Sequence, residues 1–157
     1  LILAALVLGS FVGALLVVVP LVVTVVVQFG LMGALGIPLS PSTATTSALS
    51  VGIGADYAIY LLYRLREEMR RDGDPERAIR DTLYTSGRAV LIVALAIGAG
   101  YGSLASSSFE AFRVTGVLVA AAMLTSCLSA LLLMPAGALT LRPRFIFGQT
   151  ASKARIV

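Results

Sequence analysis

Residues 1–35 read LILAALVLGSFVGALLVVVPLVVTVVVQFGLMGAL, without one charged side chain. As a single helix this run would be about 50 Å long at about 1.5 Å per residue, against a bilayer hydrocarbon core of about 30 Å. One crossing cannot hold it, and the sequence predicts a break at Gly9-Ser10. Leu1–Leu8 is then the end of a truncated helix, and 12–35 is the first complete span. Pro20 lies inside that span, which a membrane helix tolerates where neighbouring groups satisfy the freed carbonyl. The chain starts at Leu1 with no Met and no charged leader, and the run is too long for a signal peptide. It reads as a piece of a longer membrane protein whose start cuts through a helix.

The composition agrees. Of 157 residues, 58% are hydrophobic and only 13% are charged, where a soluble domain has about 45–50% and about 25%. An ordinary cytosolic enzyme and a disordered chain are excluded. No nucleic-acid partner is expected despite the net charge of +4, because a phosphate-binding patch needs solvated surface that this chain lacks. The single cysteine, Cys127, rules out a disulfide framework and a Cys-based zinc site. With no histidine, imidazole catalysis and most transition-metal sites are excluded as well. Neither a cofactor nor a metal is expected.

Beyond the opening run, Gly36-Ile37-Pro38-Leu39-Ser40-Pro41 stops the helix and turns the chain. A second span is predicted over 42–63, a third over 89–105 and a fourth over 114–139, ending near Pro135. Between the second and third lies the one strongly polar segment, 64–88, with seven Arg and six Asp or Glu. Within it Asp74-Pro75-Glu76 is a helix start, with an acid at the cap and proline at the first position. Ala78, Ile79, Thr82 and Leu83 then recur at helical spacing, which reads either as an amphipathic helix on the membrane surface or as a solvated loop helix. The expected fold is all-α: a polytopic membrane helix bundle over 1–141, with four full spans and a truncated one, then a basic tail over 142–157. Segment 64–88 and the tail hold 11 of the 12 basic residues, so both are expected in the cytoplasm. A bacterial-type inner membrane is the expected location, and its lipids are the first partners.

Asp56 is the only charge inside the second span, roughly 5 Å from its midpoint. An ionised carboxylate in a bilayer costs about 2.5–3.5 kcal/mol on insertion scales. Asp56 should therefore face protein or a water-filled cavity, where it could bind and release protons or stay protonated as a hydrogen-bond donor to another helix. Gly52 and Ala48 precede it on the same face and let a helix approach closely. Tyr57 is its chain neighbour, about 100° around the helix, and Tyr60 follows one turn later on the same face; each is a relay partner or simply packing. Gly98 and Gly102 form a G-x-x-x-G pattern, a packing signal expected to bring the third span against the Asp56 helix. Thr125, Ser126, Cys127 and Ser129 read as interhelical hydrogen-bonding groups, and Glu110 and Arg113 as solvated interface charges. Catalysis is not expected: Gly52-Ile53-Gly54-Ala55-Asp56 is one residue out of register with the G-x-G-D of intramembrane aspartyl proteases, and no second aspartate lies in any span.

The stretch from Gly52 to Arg64, GIGADYAIYLLYR, resembles the G-x-x-x-D-Y helix of the MMPL-type lipid exporters, within the resistance-nodulation-division (RND) superfamily. The likeness extends from Phe29–Leu39 through Asp74–Ile79 and Gly87-Arg88-Ala89 to Leu133-Met134-Pro135-Ala136. It implies a parent with two six-helix repeats, each carrying a large extracytoplasmic domain, of which this chain resembles the last four helices of the C-terminal repeat. The absent N-terminal repeat and extracytoplasmic domains are then its partners, with a second copy of the protein left open as a further one. The resemblance further implies that Asp56 is a proton-binding carboxylate with Tyr57 as its hydrogen-bonding partner, in a proton relay that powers export. The proton gradient is the energy source. Two alternatives stay open: an accessory subunit of the protein-secretion channel, and a non-transporting sterol- or lipid-sensing module.

Overall fold

A computed structural model describes residues 11–141. The expected break at Gly9-Ser10, the truncated helix before it and the basic tail lie outside the described residues. Five α-helices follow in order: α1 (Phe11–Ala34), α2 (Pro41–Asp72), α3 (Pro75–Thr82), α4 (Arg88–Gly102) and α5 (Glu110–Leu141). A turn of π-helix over Leu83–Gly87 joins α3 to α4, and a short 3-10 turn, Ser103–Ser106, ends α4. The chain is an all-α, multi-pass membrane bundle.

The turn between α1 and α2 forms as its residues dictate. Gly36 adopts a positive φ of 64°, the conformation that only glycine enters without strain. Ser40 caps α2: its Oγ accepts the Thr43 N–H at 3.2 Å, and the Ser40 N–H donates to Thr43 Oγ1 at 2.8 Å. Pro41 fills the first helical position, where a missing N–H costs nothing. At the other end of α2, Gly73 (φ 74°) donates its N–H to the Met69 carbonyl at 3.1 Å and stops the helix. Asp74 then caps α3, its Oδ1 accepting the Glu76 N–H at 3.1 Å.

Among the described residues three helical stretches are long and apolar enough to cross a membrane: Gly13–Ala34, Pro75–Ser106 and Glu110–Thr140. α2 is not among them, since its polar first turns, Asp56 and its arginine-rich end dilute its apolar character. It is held instead by packing. α5 is the hub, with α1, α2 and α4 all laid against it. Leu16 and Val17 of α1, Ala58, Leu62, Leu65 and Met69 of α2, and Met134 and Ala138 of α5 make one buried cluster. Tyr57, Leu61, Val90, Ala94, Val119 and Met123 belong to a second, shared by α2, α4 and α5.

Three expectations are corrected here. The polar segment expected from residue 64 onward does not begin as a loop: the helix that holds the predicted span 42–63 continues to Asp72, where Arg64 ties to Glu67 (2.8 Å) and Glu68 (2.6 Å), one turn further along; such i,i+3 and i,i+4 pairs help carry a helix on after its apolar stretch ends. Helix 75–82 does not lay its apolar face on lipid or water. Ala78 is fully buried in the cluster with Leu65 and Met69, and Ile79 packs against it. α3 thus folds back onto α2 and runs through the π-turn into α4. Pro135 does not end the last helix, which continues to Leu141; like Pro20, it sits within a helix flanked by others, the setting that tolerates a lost hydrogen bond.

Candidate functional site

The site is the outward face of α2. Ala48, Gly52, Asp56 and Tyr60, spaced by four, are all exposed, and no atom outside its own helix lies within 4 Å of where a Gly52 Cβ would stand. The opposite side is closed: Gly54, Tyr57, Ala58, Leu61 and Leu62 are buried. Asp56 therefore sits midway along a helix wedged among apolar neighbours, on the face to which the described residues offer no covering helix. Small residues one and two turns before it leave room for another helix to come close. What the arrangement can do is hold a carboxyl that gains or loses one proton at a surface built for close contact.

Tyr60 shares that face and is half exposed, at 52%. Tyr57 does not share it. Its ring is buried, and its hydroxyl donates to the Met123 Sδ at 3.7 Å, beside Cys127 on α5. The structure thus brings Asp56 together with Gly52 and Tyr60, and directs the Tyr57 hydroxyl into the bundle. The cause is the 100° step between consecutive helical residues, which puts the neighbours in the D-Y pair on different walls.

Gly98 and Gly102 are not at this site. They face α5: a Cβ at Gly98 would stand 3.9 Å from the Ala120 carbonyl oxygen, and one at Gly102 would stand 3.9 Å from the Ala120 Cβ. This corrects the expectation that they seat the third span against the Asp56 helix; that span rests on α5. The glycines that permit close approach are others. A Cβ at Gly54 would collide with the Ser126 hydroxyl, and one at Gly116 would stand 2.5 Å from the Tyr101 carbonyl oxygen and 2.8 Å from the Leu104 Cβ. The available sequence signal was Gly54 itself, on the face opposite Gly52. Ser126 is buried in the Gly54 notch, and its hydroxyl has no hydrogen-bond partner among the described residues, so its contact with α2 is steric. Glu110 and Arg113 are exposed, as expected.

Beyond Tyr60 the same face becomes charged. Arg64 donates to Glu67 and is paired with Glu68, a residue only 4% exposed. The hydrogen bond to Glu67 pushes the Arg64 guanidinium above its ordinary pKa, with attraction to Glu68 adding to it. At this end of the bundle the Arg88 guanidinium lies over the Tyr84 ring, 5.1 Å from its centroid.

Comparison with known proteins places this geometry in context. The model of the MMPL family matches residues 1–154. A membrane protein of Streptomyces coelicolor is 35% identical over 91 residues, 58% of this chain and 13% of its own length. The mycolic acid-containing lipids exporter MmpL11 of Mycolicibacterium smegmatis is 33% identical over 150 residues, 92% of this chain and 15% of its own length. The heme uptake protein MmpL11 of Mycobacterium tuberculosis is 33% identical over 125 residues, 75% of this chain and 13% of its own length. The chain thus spans less than a sixth of each of these three relatives.

Proposed function

Since the chain belongs to the MMPL family, we propose that it is part of a transporter that moves lipids or other hydrophobic compounds across a membrane, driven by the proton gradient, with Asp56 as the carboxyl that carries the proton. The observation that carries the reading is Asp56 on the open face of α2, behind the exposed Gly52 and beside the exposed Tyr60. The substrate class rests on the relatives: one is named for exporting mycolic acid-containing lipids and another for heme uptake, and both cargoes are large and hydrophobic.

In this reading α2 crosses the membrane with its neighbours, and the arginine-rich end of the bundle faces the cytoplasm, following the distribution of basic residues. The outward face of α2 meets the rest of a longer parent protein. A proton from the far side of the membrane neutralises Asp56. The carboxyl then loses its attraction to polar partners across that contact, the helices shift, and the proton leaves toward the cytoplasm. One charge moved through 100 mV supplies about 2.3 kcal/mol, before any pH difference. Tyr60, one turn toward the arginine-rich end, is the polar neighbour on the same face. Tyr57 fixes the rotation of α2 from inside the bundle.

The test is Asp56→Asn in the parent protein. The amide is nearly the size of the carboxyl but cannot cycle a proton, so the protein should insert normally while substrate movement falls to background. Asp56→Glu should keep a measurable part of it. Transport at the unsubstituted rate in Asp56→Asn would sink the relay role, and transport indifferent to an uncoupler would sink the proton drive.

A further inference from the structure

One turn past Asp56, the outward face of α2 widens into an open groove of about 470 Å³ lined by Tyr60, Tyr63, Arg64, Arg66, Glu67 and Arg70. Its volume falls within the roughly 300–1,000 Å³ of small-molecule sites. The lining sets three guanidiniums against one carboxylate, a net charge of +2; counting Glu68, which holds Arg64 from the buried side, leaves +1. Arg70 is exposed. Arg71 follows it, so that Arg64, Arg66, Arg70 and Arg71 fall within eight residues.

Position fixes the kind of ligand. A bilayer core of about 30 Å takes up about 20 residues of helix, so a crossing that begins at Pro41 leaves the hydrocarbon near Tyr60. The two tyrosines then stand at headgroup depth, where amphipathic rings collect, and the arginines stand just beyond. Four basic residues immediately outside a membrane helix attract anionic lipid, and here three of them converge on a concavity. The narrow turns at Ala48 and Gly52 are where a neighbouring helix can touch α2. The bulk of Tyr60, Tyr63 and the arginines would hold such a helix further off and leave a cleft in this leaflet.

We propose that this groove binds the headgroup of an anionic phospholipid from the leaflet on the arginine-rich side, its phosphate on Arg66 and Arg70 and its first methylenes along Tyr60 and Tyr63. Zwitterionic lipids are disfavoured because their ammonium group would meet the same positive charge. The site borders the Asp56 wall at Tyr60 and rests on the proposed crossing of the membrane by α2, but not on proton transfer at Asp56.

The experiment uses the full-length parent protein in nanodiscs of equal phosphatidylglycerol and phosphatidylcholine, with retained lipid counted after detergent washing. Phosphatidylglycerol should be retained in excess. Arg70→Gln should weaken its retention about fivefold, and Arg66→Gln/Arg70→Gln by about that factor again, since each arginine near an anionic surface contributes about 1 kcal/mol. Arg70→Lys should keep most of it, and Arg80→Gln, an exposed arginine on α3 outside the groove, should change nothing. Arg70 lies on the surface, so its substitution leaves folding intact. Equal retention of both lipids by the unsubstituted protein overturns the proposal, as does undiminished retention in the double variant. Displacement of the lipid by millimolar inorganic phosphate also overturns it, because the site would then be taking phosphate as such.

Discussion

One side of α2 is sealed and the other is open. Gly54, Tyr57, Ala58, Leu61 and Leu62 are buried among α1, α4 and α5, while Gly52, Asp56 and Tyr60, on the same turns, are exposed. Of these five α2 residues only Tyr57 is polar, and its hydroxyl meets a thioether. The open side holds the one charged residue in the middle of the bundle. A helix that served only to hold the bundle together would have no use for a carboxylate there, because taking it out of water is costly and none of the buried contacts needs it. In the proposed reading folding and function are divided between two walls of one helix, and substitutions on the two walls should fail in different ways.

The largest expected effect is functional. Asp56→Asn in the parent protein should abolish proton-coupled transport while the protein still folds, because the amide is nearly the size of the carboxyl and can still hydrogen-bond across the contact. Thermal unfolding in detergent, measured beside transport, checks both halves; a variant that unfolds would mean that Asp56 belongs to the structural wall after all. On the sealed side the sign reverses. Leu62 is fully buried, and Leu62→Ala should cost about 2–5 kcal/mol, read as a fall in the unfolding midpoint with the residual folded fraction still coupling protons.

Gly54→Ala comes next. Its methyl would enter the space of the Ser126 hydroxyl, and overpacking of this kind costs about 1–3 kcal/mol. Adding Ser126→Gly removes the obstructing side chain and should return most of the loss. If the double variant is no more stable than Gly54→Ala alone, the contact between α2 and α5 is not set by this pair.

Much of this division could be read from the sequence, and the part that could not has a physical cause. The uncharged run from residue 11 to 35, the Gly36–Pro41 turn and the Asp74 cap are local signals, and the structure follows them. Asp56 stood out because a lone acid in an apolar stretch is expensive wherever it points. Which residues share its wall was only partly legible. Tyr60 and Gly52 follow from the helical period alone. The offset of Tyr57 from Asp56 follows from the same period, but which of the two walls is buried is settled only once the helix is packed. The extension of α2 to Asp72 escaped a hydropathy reading because charged residues outnumber apolar ones in its last turns, where ion pairs of Arg64 and the buried Leu65 and Met69 together hold the helix. The packing face of α3 escaped because Ala78 and Ile79 look the same whether they meet lipid or Leu65.

Tyr57 and Tyr60 offer a finer version of the comparison. Tyr57→Phe removes a hydroxyl that donates to Met123 Sδ at 3.7 Å, so it should cost at most about 1 kcal/mol and leave transport near the unsubstituted rate. Tyr60→Phe should leave stability unchanged and slow transport if the phenol assists the Asp56 proton. The reverse pattern, a silent Tyr60→Phe and a dead Tyr57→Phe, would place the relay on the inner wall and require α2 to rotate during the cycle.

The smallest effect is expected where the sequence pattern is most conspicuous. Gly98 and Gly102 have the spacing of a close helix contact, yet a methyl at either would meet its nearest neighbour at 3.9 Å, ordinary van der Waals distance. Neither position has a positive φ, so alanine fits the backbone as well. Helix propensity favours alanine over glycine by up to about 1 kcal/mol. Gly98→Ala and Gly102→Ala should therefore leave transport unchanged and raise the unfolding midpoint slightly, in contrast to Gly54→Ala. A marked loss of stability at Gly98 would mean that α4 and α5 approach more closely in the membrane than 3.9 Å allows. The pattern would then deserve the weight that its spacing alone does not give it.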